Sequence, residues 1–171
     1  MINSTLYLRE QKKSIKMLII FGAVITMYVT IIIGMYDPKM MEMLDGFAEM
    51  MPELMAAVGM DTSANTLLGF MVSYLYGFIF LIFPMVYCIL RGNGLILKYT
   101  DDGAMAVLIA APIKRITIVA TQLAVLVSGV LILILYLTGL ELAVANSKFP
   151  DELVVEELLR LNLALLCLHL F

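Results

Sequence analysis

Tryptophan is absent from this sequence, histidine occurs once and cysteine twice. Both cysteines, Cys88 and Cys167, lie in apolar stretches. That placement excludes a disulfide framework and a cysteine–histidine metal site, and it leaves thiols behaving as small buried hydrophobes. Charge is scarce too: 15% of the 171 residues are charged, against about 25% in a soluble globular domain. No G-x-x-x-x-G-K-[ST] phosphate loop occurs; "GNGLILK" at Gly92 has a different spacing and reads as a turn at a helix end. The long uncharged runs hold no Asp, Glu, Lys, Arg or His. A membrane-embedded enzyme needs paired polar or ionisable groups at depth, and proton relays and ion pathways need them too. Their absence argues against all three classes. His169, the single histidine, reads as a packed or interfacial side chain. No enzymatic activity, cofactor, metal or nucleic-acid partner is expected.

What the sequence does have is apolar length. All its charged side chains fall in four blocks, separated by Met17–Tyr36 (20 residues), Leu67–Leu90 (24 residues) and Ile116–Leu140 (25 residues). A helix of about 20 apolar residues crosses a hydrocarbon core of about 30 Å, and lipid forces the backbone to satisfy its own polar groups. The fold class expected is therefore all-α and polytopic, with three transmembrane helices at 17–36, 67–90 and 116–140. A fourth run, 161–171, is too short to cross and reads as the start of a fourth helix in a truncated chain. The first run is too long for a signal peptide and lacks a small-x-small cleavage site.

The charge blocks set an expected orientation. Basic residues number four in 1–16, one in 37–66, four in 91–115 and two in 141–160. The positive-inside rule places the first and third blocks in the cytoplasm and the others outside a plasma membrane. Residues 3–16 read as an amphipathic interfacial helix capped by Asn3 or Ser4, its basic side chains meeting anionic headgroups. The outer block 37–66 holds seven methionines between Met40 and Met60. Thioethers favour Cu(I), but no histidine or cysteine joins them. One or two amphipathic helices with methionine as adaptable filler, the second starting at Pro52, are expected instead.

In the second run, Gly69, Ser73 and Gly77 recur every four residues, a small-xxx-small stripe that lets two membrane helices approach closely. Pro84 should kink or weaken that helix. In the third run, Gln122 is placed to hydrogen-bond across helices. The last block, 141–160, is expected to hold a helix start at Pro150 and Asp151 leading into the fourth span.

The inner block 91–115 contains "KYTDDGAMAVLIAAPIKR". Asp101 or Asp102 can cap a short helix whose first turn holds Gly103. Met105, Leu108 and Ile109 then share one face, Pro112 ends the helix, and Lys114 and Arg115 anchor the next span. A helix of two to three turns is not stable alone in water, so it needs either a lipid surface or a partner's groove.

This stretch resembles the cytoplasmic loop of ABC-2 type transporter permeases, in which an acidic pair and a small residue precede an apolar segment ending in proline and a basic residue. Here these are Asp101, Asp102 and Gly103, "AMAVLIAAP", and Arg115. "YLYGFIFLIFPMVYCIL" likewise resembles the second span of bacterial members, and the basic helix before the first span fits as well. The resemblance implies a permease subunit, usually of six spans. It would pair with a second permease subunit, identical or different, and dock cytoplasmic ATPase subunits through the inner loop. ATP hydrolysis would then reside in the partner. The alternative is a non-transport membrane assembly or anchoring protein, whose inner helix binds another partner or only the lipid bilayer.

Overall fold

The structure, a computed structural model, describes residues 2–51, 66–101, 103, 114–150 and 152–171. Among these residues every regular element is helical. Three stretches, Ser4–Met35, Leu67–Leu95 and Arg115–Lys148, are long and apolar enough to cross a membrane. The chain is an all-α, multi-pass membrane protein.

Helix α1 is Ser4–Met35. The Asn3 side chain accepts from the Leu6 N–H at 3.0 Å and opens it, the usual N-cap exchange. The basic segment 3–16 and the first apolar run are continuous here, 32 residues in one rod of about 48 Å. No proline or glycine stands at their junction, and each side favours helix, so nothing separates an interfacial piece from a span. Helix α2, Pro38–Met50, begins where Asp37 accepts from the Lys39 N–H at 3.0 Å. Proline occupies its first position, where no backbone donor is needed. Met40 and Met43 are exposed while Met41 packs on the core. Pro52, Met55 and Met60 lie outside the described residues.

The second crossing is composite. Helix α3, Leu67–Met71, is capped by the Thr66 hydroxyl accepting from Gly69 N–H at 3.0 Å. It passes into a π-helical segment, Val72–Ile79, and then into α4, Phe80–Asp101, which runs through Pro84. Helix α5 is Arg115–Lys148 and α6 is Val155–Leu170. At 16 residues α6 is about 24 Å long, shorter than a hydrocarbon core.

Helices α1 and α5 run parallel and in step. Asn3 N–H donates to Thr121 Oγ1 at 3.0 Å, Thr26 Oγ1 meets the Tyr136 hydroxyl at 2.7 Å, and the Tyr36 and Phe149 rings meet edge to face at 5.2 Å. These contacts fix the relative heights of the two rods. Along the seam, Ile25, Val29 and Ile33 recur every four residues on α1, and Val125, Gly129, Leu133 and Leu137 do so on α5. Lipid tails are as apolar as these side chains, so close packing rather than water exclusion holds the helices together. Gly22 supplies one such approach: a Cβ there would lie 3.4 Å from the Tyr136 ring. Tyr136→Phe deletes the hydroxyl bond but keeps the ring. It is expected to cost about 0.6 kcal/mol, read as a small drop in the melting midpoint of the detergent-solubilised protein.

Candidate functional site

Two buried polar groups sit at different heights in the bundle. The first lies toward the end carrying the basic residues of α1. Glu10 is 1% exposed and Arg91, from α4, 7%. An Arg91 Nη2 donates to Glu10 Oε2 at 3.1 Å and to the Glu10 carbonyl at 2.6 Å, while Lys13 Nζ reaches Glu10 Oε1 at 2.8 Å. Ser14 Oγ donates to the same carbonyl at 3.1 Å. The N-terminal turns of α1 therefore face inward through Glu10 rather than lying on a surface. Tyr87, one turn before Arg91, is fully buried and rests against Gly129 of α5.

The second group lies nearer the opposite, acidic end. Glu141 of α5 is 0% exposed. Its Oε2 accepts from Asn162 Nδ2 of α6 at 2.7 Å and from the Tyr76 hydroxyl at 3.2 Å. The Tyr76 hydroxyl also lies 2.9 Å from Asn162 Oδ1, and one O–H serves only one of these acceptors fully. Glu141 Oε1 has no hydrogen-bond partner among the described residues. Tyr76 stands in the π-helical segment, whose wider turn is frequently found at functional sites.

The depth of Glu141 follows from the register of the helices. It is seven residues short of the end of α5 at Lys148, and Asn162 is seven residues into α6 from Val155. Both are thus about 10 Å inside the acidic end. On α1 the same level falls near Tyr28, within the apolar run. Glu141 is therefore level with the apolar run of α1. The sequence reading assigns it to the outer block at 141–160, because a charged residue ends the 116–140 run. In the structure α5 continues unbroken to Lys148, and its first residues, 116–121, lie level with or beyond the N-terminus of α1. The helix thus runs eight residues past the end of its uncharged run at Leu140. The only sequence signal was the absence of any helix breaker between Leu140 and Lys148.

The residues singled out for partner coupling fall at the basic end. Asp101 is the last residue of α4 and Arg115 the first of α5. Gly103 has φ 67°, the left-handed conformation that closes a preceding helix, rather than the first turn of a following one. Asp102, Met105, Leu108, Ile109 and Pro112 lie outside the described residues. Ser73 and Gly77 of the small-residue stripe are exposed, Gly69 half-buried, and the Ser73 hydroxyl bonds the Gly69 carbonyl at 3.0 Å. Within this chain, close approach uses Gly22 and Gly129 instead. Gln122 is buried with its Nε2 unpartnered among the described residues. His169 reaches the carbonyls of Leu165 at 2.8 Å and Leu81 at 3.2 Å, tying α6 to α4.

Comparison with protein-family models, with curated proteins and with solved structures finds no match to this chain.

Proposed function

We propose that this chain is the membrane-spanning part of a permease subunit of an ATP-driven transporter of the ABC-2 type, an exporter, with its basic end in the cytoplasm of a cell whose plasma membrane it crosses. The resemblance of residues 101–115 to the inner loop of those permeases motivates the reading. One geometric observation carries it further. Helix α4 does not stop with its uncharged run at Leu90 but continues to Asp101, eleven residues or about 16 Å farther. The loop is thus delivered well past the level of the Glu10–Arg91 pair, where a soluble subunit can reach it. A loop meant only to lie on lipid gains nothing from that extension. The ion pair ties α4 to α1, and α5 packs along α1, so a push on the loop moves connected rods rather than a loose strand. Such rigid-body transmission is the common form of switching in helical assemblies. A second permease copy or a related subunit would complete the pathway, and Gly69, Ser73 and Gly77 offer one face for it.

The test is co-purification from the native membrane. The wild-type chain is expected to bring down a nucleotide-binding subunit. Leu108→Asp together with Ile109→Asp is expected to cut that recovery at least tenfold while membrane insertion is unchanged. Equal recovery with the double variant would count against docking through this loop. If no nucleotide-binding subunit follows the wild type, the assembly or anchoring alternative takes its place.

A further inference from the structure

The geometry points to a binding site for a sodium ion at the Tyr76–Glu141–Asn162 cluster, and we propose it as such independently of the transporter reading. Three segments far apart in sequence bring their polar atoms within 2.7–3.2 Å of one another here. The central one is a carboxyl without solvent contact. One of its oxygens has no partner among the described residues.

Charge balance motivates the ion. A carboxylate at membrane depth is costly unless a positive charge accompanies it. Asn162 and Tyr76 are neutral donors and supply dipoles only. Among the described residues no lysine, arginine or histidine pairs with Glu141. Arg160 on α6 is exposed and bonded to Glu156 at 2.6 Å, Lys148 Nζ lies against Gly34, and His169 faces two carbonyls. Glu10 has two cations within bonding distance at the other end of the bundle, so this structure does pair its buried carboxylates where it has the means. Among the described residues none supplies the counter-charge at Glu141, and an ion from solution can.

The donor set selects the kind of cation. The cluster offers two carboxylate oxygens, a phenolic oxygen and an amide, whose oxygen and nitrogen exchange places by a half-turn of the side chain. With the Asn162 oxygen turned toward Glu141, the carboxylate, phenol and amide each present a hard oxygen ligand. Among the described residues no group of three His, Cys, Asp or Glu side chains could hold a metal, which speaks against a transition metal. One carboxylate balances one positive charge, so a divalent ion would leave an excess. Sodium has nearly the radius of calcium, for which oxygen distances are about 2.3–2.6 Å. Oxygens separated as these are can close on an ion of that size with small side-chain movements, whereas potassium needs them farther apart. Tyr76 is carried on the wider π-helical turn, a form frequently found at functional sites.

The experiment uses the full chain in detergent, with sodium chloride as the probe and choline chloride holding ionic strength constant. Binding of radioactive sodium and the thermal midpoint are both read. Saturable binding of one sodium per chain is expected. A rise in midpoint should follow the same titration, with potassium much weaker. Glu141→Gln is expected to abolish both, and Asn162→Leu to weaken binding at least tenfold. Absence of saturable sodium binding to the wild type would overturn the proposal, as would undiminished binding in a folded Glu141→Gln protein. If sodium has no effect but acidification alone raises the midpoint, and Glu141→Gln removes that response, the counter-charge is a proton and the sodium site is refuted. Should Glu141→Gln fail to fold, Asn162→Leu and the wild-type binding isotherm decide the matter by the same criteria.

Discussion

Arg91→Leu is expected to destabilise the protein by about 3–5 kcal/mol, because it removes a buried cation from beside the buried Glu10 carboxylate. Arg91 supplies two short contacts to Glu10, one to the carboxylate and one to the backbone carbonyl. Lys13, which meets the other carboxylate oxygen, is 44% exposed at its side chain. The expected pattern separates the charge effect from lost packing. Glu10→Met with Arg91→Leu removes both charges and should recover most of the loss, since replacing a buried pair by apolar side chains is often close to neutral. Melting of the purified protein, followed by thiol labelling of the half-buried Cys88 in a Cys167→Ala background, measures all three variants. Equal destabilisation by the single and double variants would show that packing, not the uncompensated charge, sets the cost.

Gly129→Val is expected to cost about 3 kcal/mol, near the top of the range for overpacking a filled interior. A Cβ at this position would overlap the Tyr87 hydroxyl, and it would stand 2.9 Å from Tyr87 Cζ and 3.1 Å from Cε1. Tyr87 has nowhere to retreat: it is fully buried, and its ring meets Phe21 edge to face at 5.9 Å. Gly129→Ala should therefore cost less in a Tyr87→Leu background than in the wild type, because the shorter side chain vacates the space. Gly139→Ala is the control. Nothing lies within 4 Å of a Cβ there, so a neutral effect or a gain of up to about 1 kcal/mol is expected. The same thermal assay reads all these variants, and a tolerated Gly129→Val would contradict the close approach of α4 to α5.

The two buried polar groups differ in how much the sequence revealed of them. Glu10 is one acid among four basic residues, which reads naturally as part of a solvated amphipathic face. Its inward turn depends on Arg91, 81 residues away, and no local pattern announces that pairing. Glu141 follows an uncharged run and precedes an acidic block, so counting charge places it at a surface. Only the register of α5 against α1, held by contacts such as Asn3 to Thr121 and Thr26 to Tyr136, shows that Glu141 is level with the apolar run of α1. Asn162 and Tyr76 are ordinary residues of apolar helices until that register brings them to Glu141. The small-residue stripe shows the converse. Its spacing is plain in the sequence, yet Ser73 and Gly77 face away from the described neighbours, and Gly22 and Gly129, which lack such a repeat, make the close contacts.

By itself the sequence determined the class of solvent and the secondary structure. Runs of 20 to 25 uncharged residues leave the backbone no partner in lipid but itself, so three apolar helices follow from composition and length. Where each helix sits along the bundle axis, and hence which polar side chains share a level, was decided only by the tertiary structure. An apolar helix can slide within a bilayer at little cost, and it is the few interhelical contacts, between residues more than a hundred positions apart, that stop the sliding and set the level of Glu141.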